Sequence, residues 1–154
     1  MKILVLMPTK ALKEQSISDA LVYLSRLRPP LSASALFTNP KNIFSEDERL
    51  KRIEAEGVEL LDKSAGYYRI ALSDQAQQMS SEQFSLYLEK QSQRLPKVAF
   101  IIGGAFGLSS QVLDSCQAKL SLSAMTLPHR LAFLVLCEQL YRASEIMRNT
   151  AYHK

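Results

Sequence analysis

Hydrophobic and polar positions along the chain switch repeatedly between strand-like runs and helical stripes. Ile3-Leu4-Val5-Leu6-Met7 is a short apolar run that Pro8 ends, which predicts a strand over residues 2–7. Leu12, Ile17, Leu21, Leu24 and Leu27 fall near one face of a helix over 12–27, stopped by Pro29-Pro30. Residues 31–38 read as a second strand, rich in serine and alanine. Ser45-Glu46-Asp47-Glu48 has the spacing of a capping box and opens a helix to about residue 63. Its apolar stripe is Leu50, Ile53, Leu60 and Leu61, and its charged face reads as solvated. YYRIAL (67–72) is a third strand, 73–78 a polar loop, and Ser80–Gln83 the start of a helix carrying Phe84, Tyr87 and Leu88.

The centre of the pattern is 97–129. Val98 to Ile102 is β-branched, aromatic and uninterrupted, so it predicts a buried strand. It breaks at Gly103-Gly104, with Gly107 following, and Ser109 or Ser110 can cap a short helix carrying Val112, Leu113 and Cys116. A second run, Leu120 to Met125, leads into Thr126-Leu127-Pro128-His129. From 130 to 147 neither Pro nor Gly interrupts one long helix, apolar almost all round at 131–137. Such a helix must be buried on several sides, and a subunit interface is one source of the extra burial.

Strands alternating with helices predict one α/β domain over 1–154, with a mostly parallel sheet, right-handed crossovers and helices on both faces. A glycine loop and a small-residue loop would then follow two adjacent strands, where ligands of open α/β sheets sit. Gly-Gly-x-x-Gly is neither the dinucleotide fingerprint nor a Walker loop. Taken alone it reads first as a plain turn between a strand and a helix.

Charge sharpens this picture. Residues 1–93 balance 12 basic against 12 acidic side chains, while 94–154 hold seven (Arg94, Lys97, Lys119, Arg130, Arg142, Arg148, Lys154) against three (Asp114, Glu138, Glu145). The whole excess of +4 lies beside the glycine loop, which suits a polyanionic partner or a solvated basic face. The apolar run at the N-terminus is too short for a signal peptide, and no stretch approaches the length that spans a membrane; a cytoplasmic location is expected. Cys116 and Cys137 match no metal spacing and read as small buried hydrophobes.

His129 and His153 are the only histidines. His129 stands at a loop-to-helix junction, as a cap or as an acid/base group. His153 follows Tyr152 in the last residues of the chain. Arg142 lies on an otherwise greasy helix and needs a carboxylate, a phosphate or carbonyls as partner. No nucleophile triad and no metal site is readable.

Taken together, Ile102-Gly103-Gly104-x-x-Gly107-Leu108, then Leu122-Ser123-x-Met125-Thr126-Leu127-Pro128-His129, then Glu138-Gln139-x-Tyr141-Arg142-Ala143, and finally Tyr152-His153-Lys154 closely resemble the RlmH-type rRNA methyltransferases, small bacterial members of the SPOUT superfamily. The resemblance runs the length of the chain and is strongest from about residue 67. It implies a deep trefoil knot at the C-terminal end, a homodimer, and methyl transfer from S-adenosylmethionine to N3 of a pseudouridine in 23S rRNA within the assembled 70S ribosome. By position it implies that Leu72, Gly103, Leu122, Ser123, Ala124, Met125, Thr126 and Leu127 hold the cofactor. It links His129, Arg142, Tyr152 and His153 with substrate binding and catalysis. Ala105 and Phe106, between the glycines, carry no specificity on this comparison.

The chemistry is consistent with those residue types. A sulfonium methyl is already activated, so the reaction needs no metal; it needs alignment and removal of the imide proton. A histidine can take that proton, and an arginine can hold a phosphate or the developing imidate. Two other readings remain at this stage: a non-catalytic RNA- or ribosome-binding module of the same fold, and a SPOUT methyltransferase acting on another RNA such as tRNA.

Overall fold

The computed structural model describes residues 1–41 and 48–152. Five parallel strands form one sheet, in the order β2 (Ser32–Thr38), β1 (Lys2–Pro8), β4 (Lys97–Ile101), β3 (Tyr68–Leu72), β5 (Ala118–Leu120). Pairing registers Val5 with Phe100 and Ile70 with Phe100, so the apolar runs lie side by side at the centre. Side chains alternate across a strand. Ile3, Val5, Met7, Val98 and Phe100 therefore meet α1 (Gln15–Ser25), α3 (Ser81–Ser92) and α5 (His129–Met147) on one face. Leu4, Leu6, Ala99 and Ile101 meet α2 (Arg49–Lys63) and α4 (Ser110–Ser115) on the other. The predicted α/β architecture, a parallel sheet with helices on both faces, is present.

The local signals behave as capping chemistry requires. Ser80 and Gln83 make a reciprocal capping box at α3, and Ser109, rather than Ser110, caps α4 by accepting from Val112 N at 3.2 Å. The expected box at Ser45 lies outside the described residues; Glu48 is the N-cap of α2.

Three expectations change. The two ligand-side strands are not adjacent, because β3 stands between β4 and β5. The run at 120–125 is strand only at its first residue, since β5 ends at Leu120 and Met125 is 76% exposed. The charged face of α2 is not wholly solvated: Leu50 of the expected stripe is 71% exposed, while Glu56 is only 4% exposed. Gly57 is the cause. A Cβ there would stand 2.7 Å from Ser109 Oγ and 2.9 Å from Val112 Cγ2, so its absence lets α2 close onto α4. On α5, the burial on several sides comes from α1 and α3 of the same chain, which leaves Leu131 42% exposed.

Candidate active site

The carboxyl ends of β3, β4 and β5 open onto one cleft of about 650 Å³. Three segments line it: Leu72 to Asp74 after β3, Ile102 to Leu108 after β4, and 122–129 after β5. The expected cofactor residues Leu72, Gly103, Leu122, Ser123, Met125, Thr126 and Leu127 all border this space, and Ala124 sits in the same loop. His129 borders it too.

The glycine loop is shaped by its own backbone. Gly107 N donates to Gly104 O at 3.1 Å, and Gly107 has φ +82°, a left-handed conformation that favours glycine. A Cβ on Gly103 would stand 2.4 Å from the carbonyl carbon of Gly107. Gly103 is thus required by the loop's fold upon itself. Gly104 is required by something else: a Cβ there would lie 2.6 Å from Glu56 Oε2. Glu56 Oε1 accepts from Arg52 Nε at 2.7 Å and from Lys41 N at 3.0 Å, which compensates the burial of the carboxylate. Arg52 in turn lies 5.2 Å from the centroid of the Phe106 ring.

The small-residue loop is held by short-range bonds that leave its backbone compact. Ser121 Oγ donates to Ser123 O at 2.8 Å, and Ser123 Oγ accepts from Met125 N at 2.9 Å. Ser121 N donates to Gln77 O and Ser73 N to Leu120 O, so the segments after β3 and β5 are laced together. Across the cleft mouth, Thr126 Oγ1 donates to Asp74 Oδ2 at 3.0 Å. Among the described residues lining the cleft, Asp74 is the one carboxylate and His129 the one histidine; none is Lys or Arg.

His129 is the first residue of α5 and is half-buried. Burial pushes its pKa below the ordinary 6.5; the Glu56 carboxylate pulls upward and the Arg52 cation adds to the lowering. The imidazole is therefore neutral near pH 7 and able to accept a proton.

Arg142 and Tyr152 stand elsewhere. Arg142 Nη2 pairs with Glu138 Oε1 at 2.7 Å, the carboxylate partner its position called for. Tyr152 Oη donates to the same oxygen at 3.1 Å, its ring lies 4.9 Å from the guanidinium, and it packs edge-on against Tyr141 at 4.8 Å. The hydrogen bond to Glu138 raises the pKa of Arg142, and burial pushes Tyr152 up to about 12. Beside this cluster a second groove, between α1 and α5, includes Tyr23, Leu134, Val135 and Glu138. His129 and Arg142 are thirteen positions apart on one helix, about 20 Å along its axis. One chain thus brings His129 to the cleft but not Arg142 or Tyr152. His153 lies outside the described residues.

Sequence reasoning passed over Asp74, Glu56, Arg49, Arg52 and Phe106. Two signals pointed their way. Gly57 inside a helix is costly unless something packs closely there, and it marks the face that carries Glu56. Asp74 follows the strand end at Leu72, where ligands sit in such sheets.

Comparison with known proteins agrees with this geometry. The profile of a family described as "Predicted SPOUT methyltransferase" matches residues 1–153. Ribosomal RNA large subunit methyltransferase H of Bacillus cereus is 48% identical over 117 residues, covering 75% of this chain and 73% of that protein; the Bacillus thuringiensis protein of the same name matches to the same extent. Among solved structures, a "probable methylase family protein" from Haemophilus influenzae superposes with a TM-score of 0.59 at 16% identity, over 99% of this chain and 70% of that one. A methyltransferase from Legionella pneumophila, solved with its cofactor SAM bound, gives 0.51 at 14% identity, over 92% of this chain and 66% of that one. These structures share the fold; the sequence relatives and the profile go further, and with almost the whole chain matched and the glycine and small-residue loops meeting in one cleft, the protein belongs to the SPOUT methyltransferases.

Proposed function

We propose that the protein transfers the methyl group of S-adenosylmethionine to N3 of a pseudouridine in large-subunit rRNA, acting as a homodimer on assembled ribosomes in the cytoplasm. The observation that carries this reading is the single cleft in which the Gly103 loop, the 122–127 loop and Leu72 converge beside a neutral His129. The names of the Bacillus relatives supply the class of RNA. The trefoil knot comes with the family; the lacing of the segments after β3 and β5 suits it.

The cleft fits the cofactor. Its volume is within the range for a ligand of that size, its walls are mostly glycine, serine and aliphatic side chains, and the one carboxylate among its described lining residues suits a ligand with sulfonium and ammonium charges. Bound S-adenosylmethionine supplies a methyl group already activated on sulfur. Leu72, Gly103 and residues 122–127 would hold it. His129, at the border of the same cleft, accepts the N3 proton as the N–C bond forms and the S–C bond breaks. Arg142, Tyr152 and His153 bind the target nucleoside and its phosphates.

Distance supports the dimer. The Arg142–Tyr152 cluster is about a helix length from the cleft of its own chain, so it serves the cleft of a second copy. Leu21, Val22 and Leu131, each 40% exposed or more, lie on α1 and α5 and provide an apolar surface for that contact.

The test is rRNA from a strain lacking the protein. Mass spectrometry should show one pseudouridine without its methyl group, and the purified protein should restore it on those ribosomes with S-adenosylmethionine. An unchanged nucleoside profile, with no transfer in vitro, would reject the reading.

A further inference from the structure

The ring of Phe106 stands at the edge of the cleft, half-buried, with the guanidinium of Arg49 5.0 Å and that of Arg52 5.2 Å from its centroid. The two arginines are three positions apart on α2 and so share a face. Arg52 is fixed in place: its Nε is held by buried Glu56, which uses one of its five donors. Arg49 is exposed and has no carboxylate partner among the described residues. It is also the first residue of its helix, the end where the helix dipole disfavours a cation. A partly exposed aromatic ring with two guanidiniums over it thus stands at the cleft mouth.

Charge separates this rim from the rest of the cleft lining. There, among the described residues, the one formal charge is the exposed Asp74 carboxylate on the side of Thr126, which suits a cationic cofactor. At the rim Arg49 is the exposed cation, since the charge of Arg52 is paired with Glu56; it would repel that cofactor and attract a polyanion. Aromatic rings and guanidinium planes are the surfaces on which unpaired bases stack, and arginine pairs with phosphate.

We propose that Phe106 with Arg49 forms a binding site for single-stranded RNA at the mouth of the cleft, the ring stacking an unpaired base beside the target nucleotide and the Arg49 guanidinium holding a phosphate, while Arg52, tied to Glu56, backs the ring. This rests on the reading of the protein as an RNA methyltransferase and adds a contact which that reading does not assign.

The experiment compares the wild type with Phe106→Ala, Phe106→Trp and Arg49→Gln in two binding measurements: fluorescence anisotropy with a short labelled single-stranded RNA, and calorimetry with S-adenosylmethionine. Phe106→Ala should weaken the RNA by about tenfold to a hundredfold, as the loss of one base–aromatic stack implies. Its effect on the cofactor should stay below about threefold, and Phe106→Trp should restore RNA affinity. Arg49→Gln should lower the slope of log affinity against log salt by about one contact. RNA affinity unchanged by Phe106→Ala, or no RNA binding by the wild type, overturns the proposal. A cofactor loss as large as the RNA loss assigns the ring to the cofactor instead and overturns it as well. If the wild type binds the RNA but transfers no methyl group to ribosomes, the enzymatic reading has failed and the RNA contact stands.

Discussion

Glu56 and Gly104 lie against each other across two elements that are far apart in sequence: the carboxylate Oε2 occupies the place that a Gly104 side chain would need, 2.6 Å from where a Cβ would stand. A buried acid on α2 thus sets the position of the loop that floors the cleft. Removing one partner of a buried ion pair leaves the other charge uncompensated, so Glu56→Ala should destabilise the fold by about 3 kcal/mol. Glu56→Gln keeps the shape and part of the hydrogen bonding and should cost about half of that. Urea unfolding of the two variants checks the order; equal stability of wild type and Glu56→Ala would show that the pair is dispensable.

Gly103 makes a different demand. Its missing Cβ is opposed by backbone atoms of Gly107, which have no rotamer through which to yield. Gly103→Ala should therefore move the whole loop, costing about 1–3 kcal/mol as overpacking does. The cofactor affinity should fall with it, so a melting curve and a calorimetric titration are both required. Full stability with lost binding would mean that the glycine serves the ligand and not the loop.

Asp74 offers a test of charge recognition. Its side chain is exposed and held by Thr126, so the electrostatic contribution is modest, as for other surface charges. Asp74→Asn should weaken S-adenosylmethionine by about threefold at low salt. The demethylated product lacks the sulfonium charge and should lose less. Equal losses for both ligands would place Asp74 away from the sulfonium.

What the sequence made legible follows from how far each signal reaches. Strand runs such as Ile3–Met7 and Val98–Ile102 and caps such as Ser80 depend on neighbours within a few residues, and they appear in the structure close to where the pattern put them. The insertion of β3 between β4 and β5 is a matter of pairing across the chain, and no local period encodes it. The cleft loops were readable because glycine, serine and proline punctuate them. Glu56 was hidden because a buried acid in a charged helix looks like its solvated neighbours until Ser109 is seen packed on Gly57. The separation of His129 from Arg142 follows from the helix they share; before the helix was established, both simply belonged to one motif series.

The lowered pKa of His129 affects both rate and stability. The folded protein holds the imidazole neutral to a pH below 6.5, while the unfolded chain protonates near 6.5. As pH falls through 6.5, the unfolded state takes up a proton that the folded state refuses, so stability drops, and the drop saturates below the folded pKa. His129→Gln should remove this part of the acid sensitivity, seen as a flatter dependence of melting temperature on pH in the acidic range. If His129 is the base, kcat should rise with pH through the folded pKa and then level off. An inflection that persists in His129→Gln would assign the rate dependence to another group.

The last prediction concerns the two halves of α5. His129 borders its own cleft, whereas Arg142 and Tyr152 sit some three or four turns further along, tied to Glu138. If each substrate is handled by the His129 end of one copy and the Arg142 end of another, two different inactive variants should rescue each other. His129→Ala homodimers should be inactive, and Arg142→Ala homodimers should be inactive as well. Mixed after brief unfolding and refolding together, the two should form heterodimers in which one of the two sites is intact. Activity should then return to about a quarter of wild type, because half of the dimers are mixed and each carries one working site. Cofactor affinity should be near normal in Arg142→Ala throughout, since that residue is remote from the cleft. Sedimentation must show dimers at micromolar concentration for the test to apply, and a wild type that sediments as a monomer rejects the shared site directly. Dimers that fail to regain activity on mixing would place both functions within one chain, which the length of the helix could accommodate only if a long stretch of RNA bridged the two ends.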